Sequence, residues 1–247
     1  MGLSAFGYKL VRKKPRAPGL ANLPVELDEH DRATIEAARP NTMTSVERLA
    51  ALVLAVRHIV RNEIPGSIVE CGVWRGGSMV AAARTLIHLG DRSRDLHLFD
   101  TFEGMPPPTV HDRSVDGRSA AEQLAADRPD GVIRASAGLG IVKSALAATG
   151  YDPNRVHFIK GKVEDTIPGA APDRIALLRL DTDWYESTRH ELEHLYPRLV
   201  PGGVLIIDDF GHWQGARRAV EEYFGAMRPT PLLNVIDYTG RIGIKPD

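Results

Sequence analysis

The sequence predicts an open α/β sheet of Rossmann-like type, with seven mostly parallel strands, a C-terminal antiparallel hairpin and a helical N-terminal arm or lid. Three observations predict it. Short β-branched or aliphatic runs alternate with helical stretches, the last two runs are separated by only Tyr238-Thr239-Gly240, and several runs end on an acidic residue. Runs apolar throughout and separated by helices read as parallel strands, because crossover helices cover both faces of such a sheet. So short a final turn joins antiparallel neighbours.

In chain order, Pro15, Pro18 and Pro24 break up the start, and a short charged helix is expected over 26–38. Residues 1–44 thus read as an arm or lid ahead of a main domain over 45–247. Thr44 followed by Glu47 suggests a capping box, and Val46, Leu49, Val53, Val56 and Val60 form one apolar stripe, predicting a helix over 45–62. The runs SIVEC (67–71), LHLFD (96–100), VHFIK (156–160), IALLRLD (175–181) and GVLIID (203–208) are the parallel strands. Between and after them, helices are expected over 78–89, 136–149, 186–195 and 215–224. LLNVID (232–237) and RIGIK (241–245) form the hairpin, which reverses one edge strand. The Pro- and Asp-rich stretch 105–130 is the one long insertion, placed to act as a substrate loop.

Composition narrows the function. With 247 residues, 43% of them hydrophobic, the chain can bury one sizeable core. Lys and Arg number 31 against 32 Asp and Glu, so no broad positive field favours a nucleic-acid partner. The lone Cys71 excludes an intramolecular disulfide and a cysteine metal cage, and a cytoplasmic setting is expected. Apolar windows such as LAALVLAV are too short for a membrane span, and the basic N-terminus lacks the apolar core of a signal peptide.

In open α/β sheets ligands gather beyond the carboxyl ends of the strands, and here those ends are acidic: Glu70, Asp100, Asp181 with Asp183, and Asp208 with Asp209. The first turn, ECGVWRGGS, uses Gly72, Gly76 and Gly77 to let a ligand lie against the backbone. It matches neither the dinucleotide fingerprint nor the Walker pattern, and Gly138-Leu139-Gly140 follows no strand. Asp100 is placed to accept hydrogen bonds from ribose hydroxyls, and Glu70 to face an ammonium. A nucleoside carrying an amino acid suits these charges better than a pyrophosphate. Carboxylates about 4 Å apart repel by roughly 4 kcal/mol per pair at an effective dielectric of 20. Either something positive sits among them or some stay protonated. Asp181, Asp208 and Asp209 together offer an all-oxygen ligand set for a hard cation such as Mg²⁺. The competing reading makes them strand and helix caps, Asp183 capping the helix near Glu186 and Asp208 starting a turn.

The combination ECGVWRGGS, FDTFEGMP, GKVEDT, LRLDTDWYEST and YPRLVPGGVLIIDDFGHWQGARRAVEEY resembles the macrocin O-methyltransferase family, over residues 42–245. The resemblance implies a class I methyltransferase that uses S-adenosyl-L-methionine and Mg²⁺ to methylate hydroxyls of deoxysugars or glycosylated natural products in antibiotic biosynthesis. It implies metal ligands at Asp181, Asp208 and Asp209, and Asp183 as general base. For the cofactor it implies Thr42, Glu70, Gly72, Gly76, Gly77, Ser78, Asp100, Thr101, Phe102, Lys162, Val163 and Asp181, with Met43 beside Thr42 in a closing segment. The similarity to catechol O-methyltransferases is more distant: Trp184 stands where those enzymes carry a lysine, which argues against a catechol acceptor. A small-molecule substrate follows, and an arm ahead of the core suggests a homodimer or higher oligomer. A metal-dependent hydrolase or phosphoryl-transfer enzyme and a non-catalytic nucleoside-binding module stand as alternatives.

Several conspicuous residues have plainer expectations. His212 is expected to pack in a surface loop, Cys71 to be a small buried side chain, and Arg189, Arg217 and Arg218 to lie on solvated helix faces. Trp184 and Tyr185 are equally suited to wall an acceptor site or to pack on the sheet.

Overall fold

The computed structural model describes residues 23–129 and 131–247. The proline-broken start of the expected arm and Asp130 at the end of the expected substrate loop lie outside the described residues. The helices are α1 (Glu29–Ala38), α2 (Val46–Arg61), α3 (Gly77–Leu89), α4 (Ala120–Ala126), α5 (Leu139–Ala147), α6 (Val163–Thr166), α7 (Tyr185–Leu195) and α8 (Gln214–Gly225). The strands are β1 (Ser67–Cys71), β2 (Leu96–Asp100), β3 (Val156–Lys160), β4 (Ile175–Leu180), β5 (Leu199–Ile207), β6 (Asn234–Val235) and β7 (Arg241–Ile244). They form one sheet in the order β3-β2-β1-β4-β5-β7-β6, parallel from β3 to β5.

Alternate residues of each strand feed two cores. Ile68, Leu98, Leu177 and Ile206 pack with α2 and α3 on one face, whereas Val69, Phe99, Leu178 and Leu205 pack with α7 and α8 on the other. The segment from Leu23 through α1 belongs to the first core: Leu23, Leu27, Ile35 and Ala38 are buried there with Leu49, Val53, Val56 and Ile59 of α2. Asp28 caps α1 in a reciprocal box with Asp31, and Arg57 of α2 pairs with Asp31.

The structure corrects four details. β7, the reversed strand, lies inside the sheet between β5 and β6, so the edge is β6. Ile242 and Ile244 align with Ile206 and Val204 of β5, which leaves the two-residue β6 as the edge strand on this side of the sheet. The cap of α2 is Ser45, whose hydroxyl accepts the Arg48 amide at 3.1 Å, while Thr44 turns to Asp208. Gly138 is the N-cap of a shorter α5 than the pattern suggested. Within 105–130 the chain forms α4, because Ser119 caps an Ala-rich stretch that the surrounding Pro and Asp residues had obscured.

Candidate active site

Parallel strands present their carboxyl ends along one edge, so the acidic ends of β1, β2, β4 and β5 share one rim. The strand order changes direction between β1 and β4, and there the two tips touch: the Asp181 amide donates to the Cys71 carbonyl at 2.8 Å. Gly72, at φ +81°, makes this contact possible, since a Cβ at that position would overlap the Asp181 carbonyl oxygen.

Beside this junction opens a cleft at the carboxyl ends of the strands. Gly72, Asp100, Thr101, Lys162, Val163, Asp181 and Asp183 all line it, as does Met43. Asp100 organises the wall on the β2 side. Its carboxylate accepts the amides of Val73 (2.6 Å), Trp74 (3.1 Å) and Phe102 (2.6 Å). The Thr101 hydroxyl also lies 3.5 Å from this carboxylate, but its one proton is better placed on the Gly104 carbonyl at 2.7 Å, so of about four lone-pair directions one is left for a ligand hydroxyl. Trp74 (φ 47°), Ala135 (φ 45°) and Asp183 (φ 67°) hold the left-handed conformation and line the same cleft. Such non-glycine residues cost about 1–3 kcal/mol each and persist where the surrounding fold dictates them, which is common at functional sites.

The remaining residues expected on the cofactor, Thr42, Glu70, Gly76, Gly77, Ser78 and Phe102, stand off the cleft lining. Gly77 leaves room for the chain at Asn41 and Thr42, and Gly76 for Val142 and Leu146, so both serve protein packing. Phe102 is a buried core side chain that contributes its amide to Asp100. Glu70 is buried, as is Ser78, and its carboxylate faces Arg179 at 2.6 Å instead of an open cleft. Burial lifts the Glu70 carboxyl to about 7, against the pull of Arg179.

The second half of the rim is charged. Asp181, Asp208 and Asp209 each bring a carboxylate oxygen within 4.8 Å of the others. Arg179, inside β4, donates to Asp181 at 2.6 Å and to Asp208 at 2.5 Å, and also to the Thr44 hydroxyl at 3.1 Å. Arg48, from α2, pairs with Asp208 and, at 3.0 Å, with Asp237. Carboxyl groups still outnumber guanidinium groups here. Burial, reinforced by repulsion from neighbouring aspartates, pushes Asp181 and Asp209 well above the usual carboxylate range. Burial likewise raises Asp183 to about 7, while its contacts with Asp209 and the Trp213 indole pull it down.

One atom makes the donor set suit a hard cation. Asp209 Oδ2 is buried without a hydrogen-bond partner, and with Asp181 and Asp208 it completes an oxygen-only triad. The three residues therefore fit a divalent ion of the Mg²⁺ type.

The sequence reading missed both arginines. Arg179 had a signal: a charged residue within the apolar strand IALLRL is buried only if paired. Arg48 had none, because it sits on an ordinary-looking helix turn and meets its partners through tertiary structure. The role of capping α7 falls to Asp112, whose Oδ1 accepts the Tyr185 amide at 2.7 Å, not to Asp183. Trp184 packs edge-on against Trp213 at 4.9 Å and donates to the Pro106 carbonyl at 2.9 Å, so it fastens the 105–119 loop to α7 and α8. Arg189 and Arg218 form exposed pairs with Glu193 and Glu222, and Cys71 is buried, its thiol pushed up by burial. Among the described residues no helix is long and apolar enough to cross a membrane.

The chain is similar to known proteins in sequence and fold. Residues 11–242 match the family described as Macrocin-O-methyltransferase (TylF). The chain is 37% identical, over 81% of its length and 74% of the relative's, to the 8-demethyl-8-(2,3-dimethoxy-alpha-L-rhamnosyl)-tetracenomycin-C 4'-O-methyltransferase of Streptomyces olivaceus. It is 36% identical to the Mycinamicin III 3''-O-methyltransferase of Micromonospora griseorubida, over 74% of this chain and 70% of the relative. Among solved structures, the O-methyltransferase NovP superposes with a TM-score of 0.73 at 30% identity, covering 84% of this chain and 83% of NovP.

Proposed function

The chain belongs to the macrocin O-methyltransferase family, and from that premise we propose that it transfers the methyl group of S-adenosylmethionine to a sugar hydroxyl of a glycosylated natural product, with Mg²⁺ at the aspartate triad. Membership of the family sets aside the hydrolase and the non-catalytic module. The observation that carries the proposal is the adjacency of two unlike half-sites on one rim: a cleft with a free acceptor direction on Asp100, and an oxygen triad ending in the unpartnered Asp209 Oδ2. The Streptomyces olivaceus relative is, by its name, an O-methyltransferase of a rhamnosyl-bearing tetracenomycin, which supports a glycosylated acceptor.

S-adenosylmethionine brings a methyl group on a sulfonium, open to in-line attack by an oxygen held roughly 3–3.5 Å away. Mg²⁺, held by Asp181, Asp208 and Asp209, supplies Lewis acidity that makes an alcohol proton easier to remove. The chain's own residues do the rest. Gly72, Asp100, Thr101, Lys162 and Val163 bind and orient the donor, with Asp100 accepting from its ribose. The position of Met43 in the cleft wall ahead of α2 supports a closing role for the stretch around Thr42 and Met43. Asp183, held at positive φ on the tip beyond β4, takes the hydroxyl proton. A base works only when ionised: burial holds Asp183 at about 7 without a cation, and a cation at the triad favours its carboxylate, so turnover of the Mg²⁺-loaded enzyme should rise with pH through a value below that.

The test pairs calorimetric titration of S-adenosylmethionine, with and without Mg²⁺, with transfer of labelled methyl to a panel of glycosylated acceptors. Asp183→Asn is expected to keep donor and metal binding while turnover falls by roughly 10²- to 10⁴-fold. Full turnover in that variant removes Asp183 as the base. Unchanged transfer in excess chelator removes the metal from the proposal.

A further inference from the structure

The turn between β6 and β7 carries a large aromatic side chain to the rim of the carboxylate cluster. Tyr238 is 68% exposed. Single exposed aromatics are common on proteins and need no explanation by themselves. This one differs because its backbone is held fast. The Asp237 carboxylate accepts the amides of Thr239 (3.0 Å) and Gly240 (2.7 Å) and the Ser45 hydroxyl (2.7 Å). The Thr239 hydroxyl donates to the carbonyl of Asp208 at 2.9 Å, and the Thr239 carbonyl accepts the Gly211 amide at 2.9 Å. Gly211 permits that approach, since a Cβ there would overlap the Tyr238 carbonyl.

The backbone that carries the ring is thereby fixed beside Asp208. The phenol hydroxyl meets His212 Nδ1 at 3.1 Å, and the His212 ring stands edge-on to Trp213 at 4.8 Å. Trp213 in turn touches Asp183, so an aromatic series runs from the surface to the base. A rigid, amphipathic aromatic face offers contact area at little entropic cost to a ligand that meets it.

Resting on the function proposed above, we propose that Tyr238, with His212 behind it, is an acceptor subsite that stacks against the C–H face of a pyranose ring and helps decide which glycosylated acceptors are methylated. The ring's edge, with the phenol hydroxyl and the imidazole, takes sugar hydroxyls. The subsite reads shape on one side and hydrogen bonding on the other.

The experiment uses the full chain with Mg²⁺ and the probe 4-nitrophenyl α-L-rhamnopyranoside. Saturation-transfer NMR in the presence of S-adenosylhomocysteine reads contact with the sugar ring, and labelled S-adenosylmethionine reads transfer. For Tyr238→Ala, KM for the rhamnoside should rise about tenfold and saturation of the sugar-ring protons should fall, with the effect on KM and not on kcat. Tyr238→Phe, which keeps the face and loses the bond to His212, should recover most of that loss. An unchanged KM in Tyr238→Ala, or wild-type protein that shows no saturation transfer to the sugar ring, overturns the subsite. Donor binding separates the two levels: wild-type protein that binds S-adenosylhomocysteine and methylates other glycosides leaves the methyltransferase reading intact, whereas failure to bind donor removes both.

Discussion

The two halves of the sheet rim satisfy their acidic residues in opposite ways. After β2, Asp100 is held by backbone amides of Val73, Trp74 and Phe102. After β4 and β5, Asp181 and Asp208 are held by the guanidinium groups of Arg179 and Arg48, and Asp209 keeps a buried oxygen without a partner. Amide dipoles fix a carboxylate without cancelling its charge, so the first half depends on backbone shape. Opposed ions in a low-dielectric setting depend on balance, and removing one leaves the others uncompensated. The donor half should therefore resist changes of charge elsewhere but not changes of backbone, and the metal half should behave in reverse.

The largest expected effect lies in the metal half. Arg179→Met keeps much of the volume but strips Glu70, Asp181 and Asp208 of their shared cation, and should destabilise the fold by roughly 3–5 kcal/mol. Denaturant midpoints measure it. The deficit should shrink as pH falls from 8 towards 5. Glu70 and Asp181, already raised by burial, lose the guanidinium that favours their charged forms, so the folded variant binds more protons than the unfolded chain, and acid favours it. Added Mg²⁺ should also restore part of the loss, since a divalent ion answers the same excess of negative charge. A deficit that ignores both pH and Mg²⁺ would mean that Arg179 acts through packing alone, and the contrast between the halves would fail.

That contrast also explains what could be read from the sequence. Donor-half features are local: an acidic residue ending LHLFD, glycines in ECGVWRGGS and strand limits at 67–71 and 96–100 all follow from short-range pattern, and the strands fall where expected. The aspartates of the metal half were equally legible as strand ends. Of their counterions, Arg179 left a trace as a charge inside an apolar strand, but Arg48 left none, because it and Asp208 are 160 residues apart and meet only once α2 packs across the sheet. Glu70 illustrates the boundary. Its place at a strand end was readable, but whether it faced a ligand or Arg179 depended on a partner 109 residues away. The position of β7 inside the sheet was hidden for the same reason, since a hairpin pattern specifies pairing within itself and not which strand docks.

A smaller effect probes shape in the donor half. Gly72→Ala adds one methyl group where φ is +81° and the Asp181 carbonyl leaves no space. Overpacking and the left-handed backbone together should cost roughly 2–3 kcal/mol, visible in the thermal or denaturant midpoint. In contrast to Arg179→Met, this loss should be the same at pH 5 and pH 8, because no charge is added or removed. A pH-dependent loss would show that the β1–β4 junction transmits strain into the carboxylates, so that the two halves are one unit.

The smallest effect is the most discriminating. Asp100→Asn keeps size and shape but leaves one carbonyl oxygen to serve amides that now share two oxygens, and its own NH₂ group faces other donors. The stability loss should be about 1–2 kcal/mol, that of hydrogen bonds weakened at a partly buried site. Donor affinity should fall as well, because the remaining acceptor direction for a ribose hydroxyl is lost or turned away. Calorimetry with S-adenosylhomocysteine measures that fall, and a parallel Mg²⁺ or Mn²⁺ titration of the same variant should be unmoved. The reason is structural: Asp100 bonds only to its own turn and its neighbours in the first turn, while the triad is tied to Arg179, Arg48 and the β6–β7 turn. Equal losses of donor and metal affinity would show that Asp100 senses the charge cluster directly, and that backbone shape alone does not define the donor half.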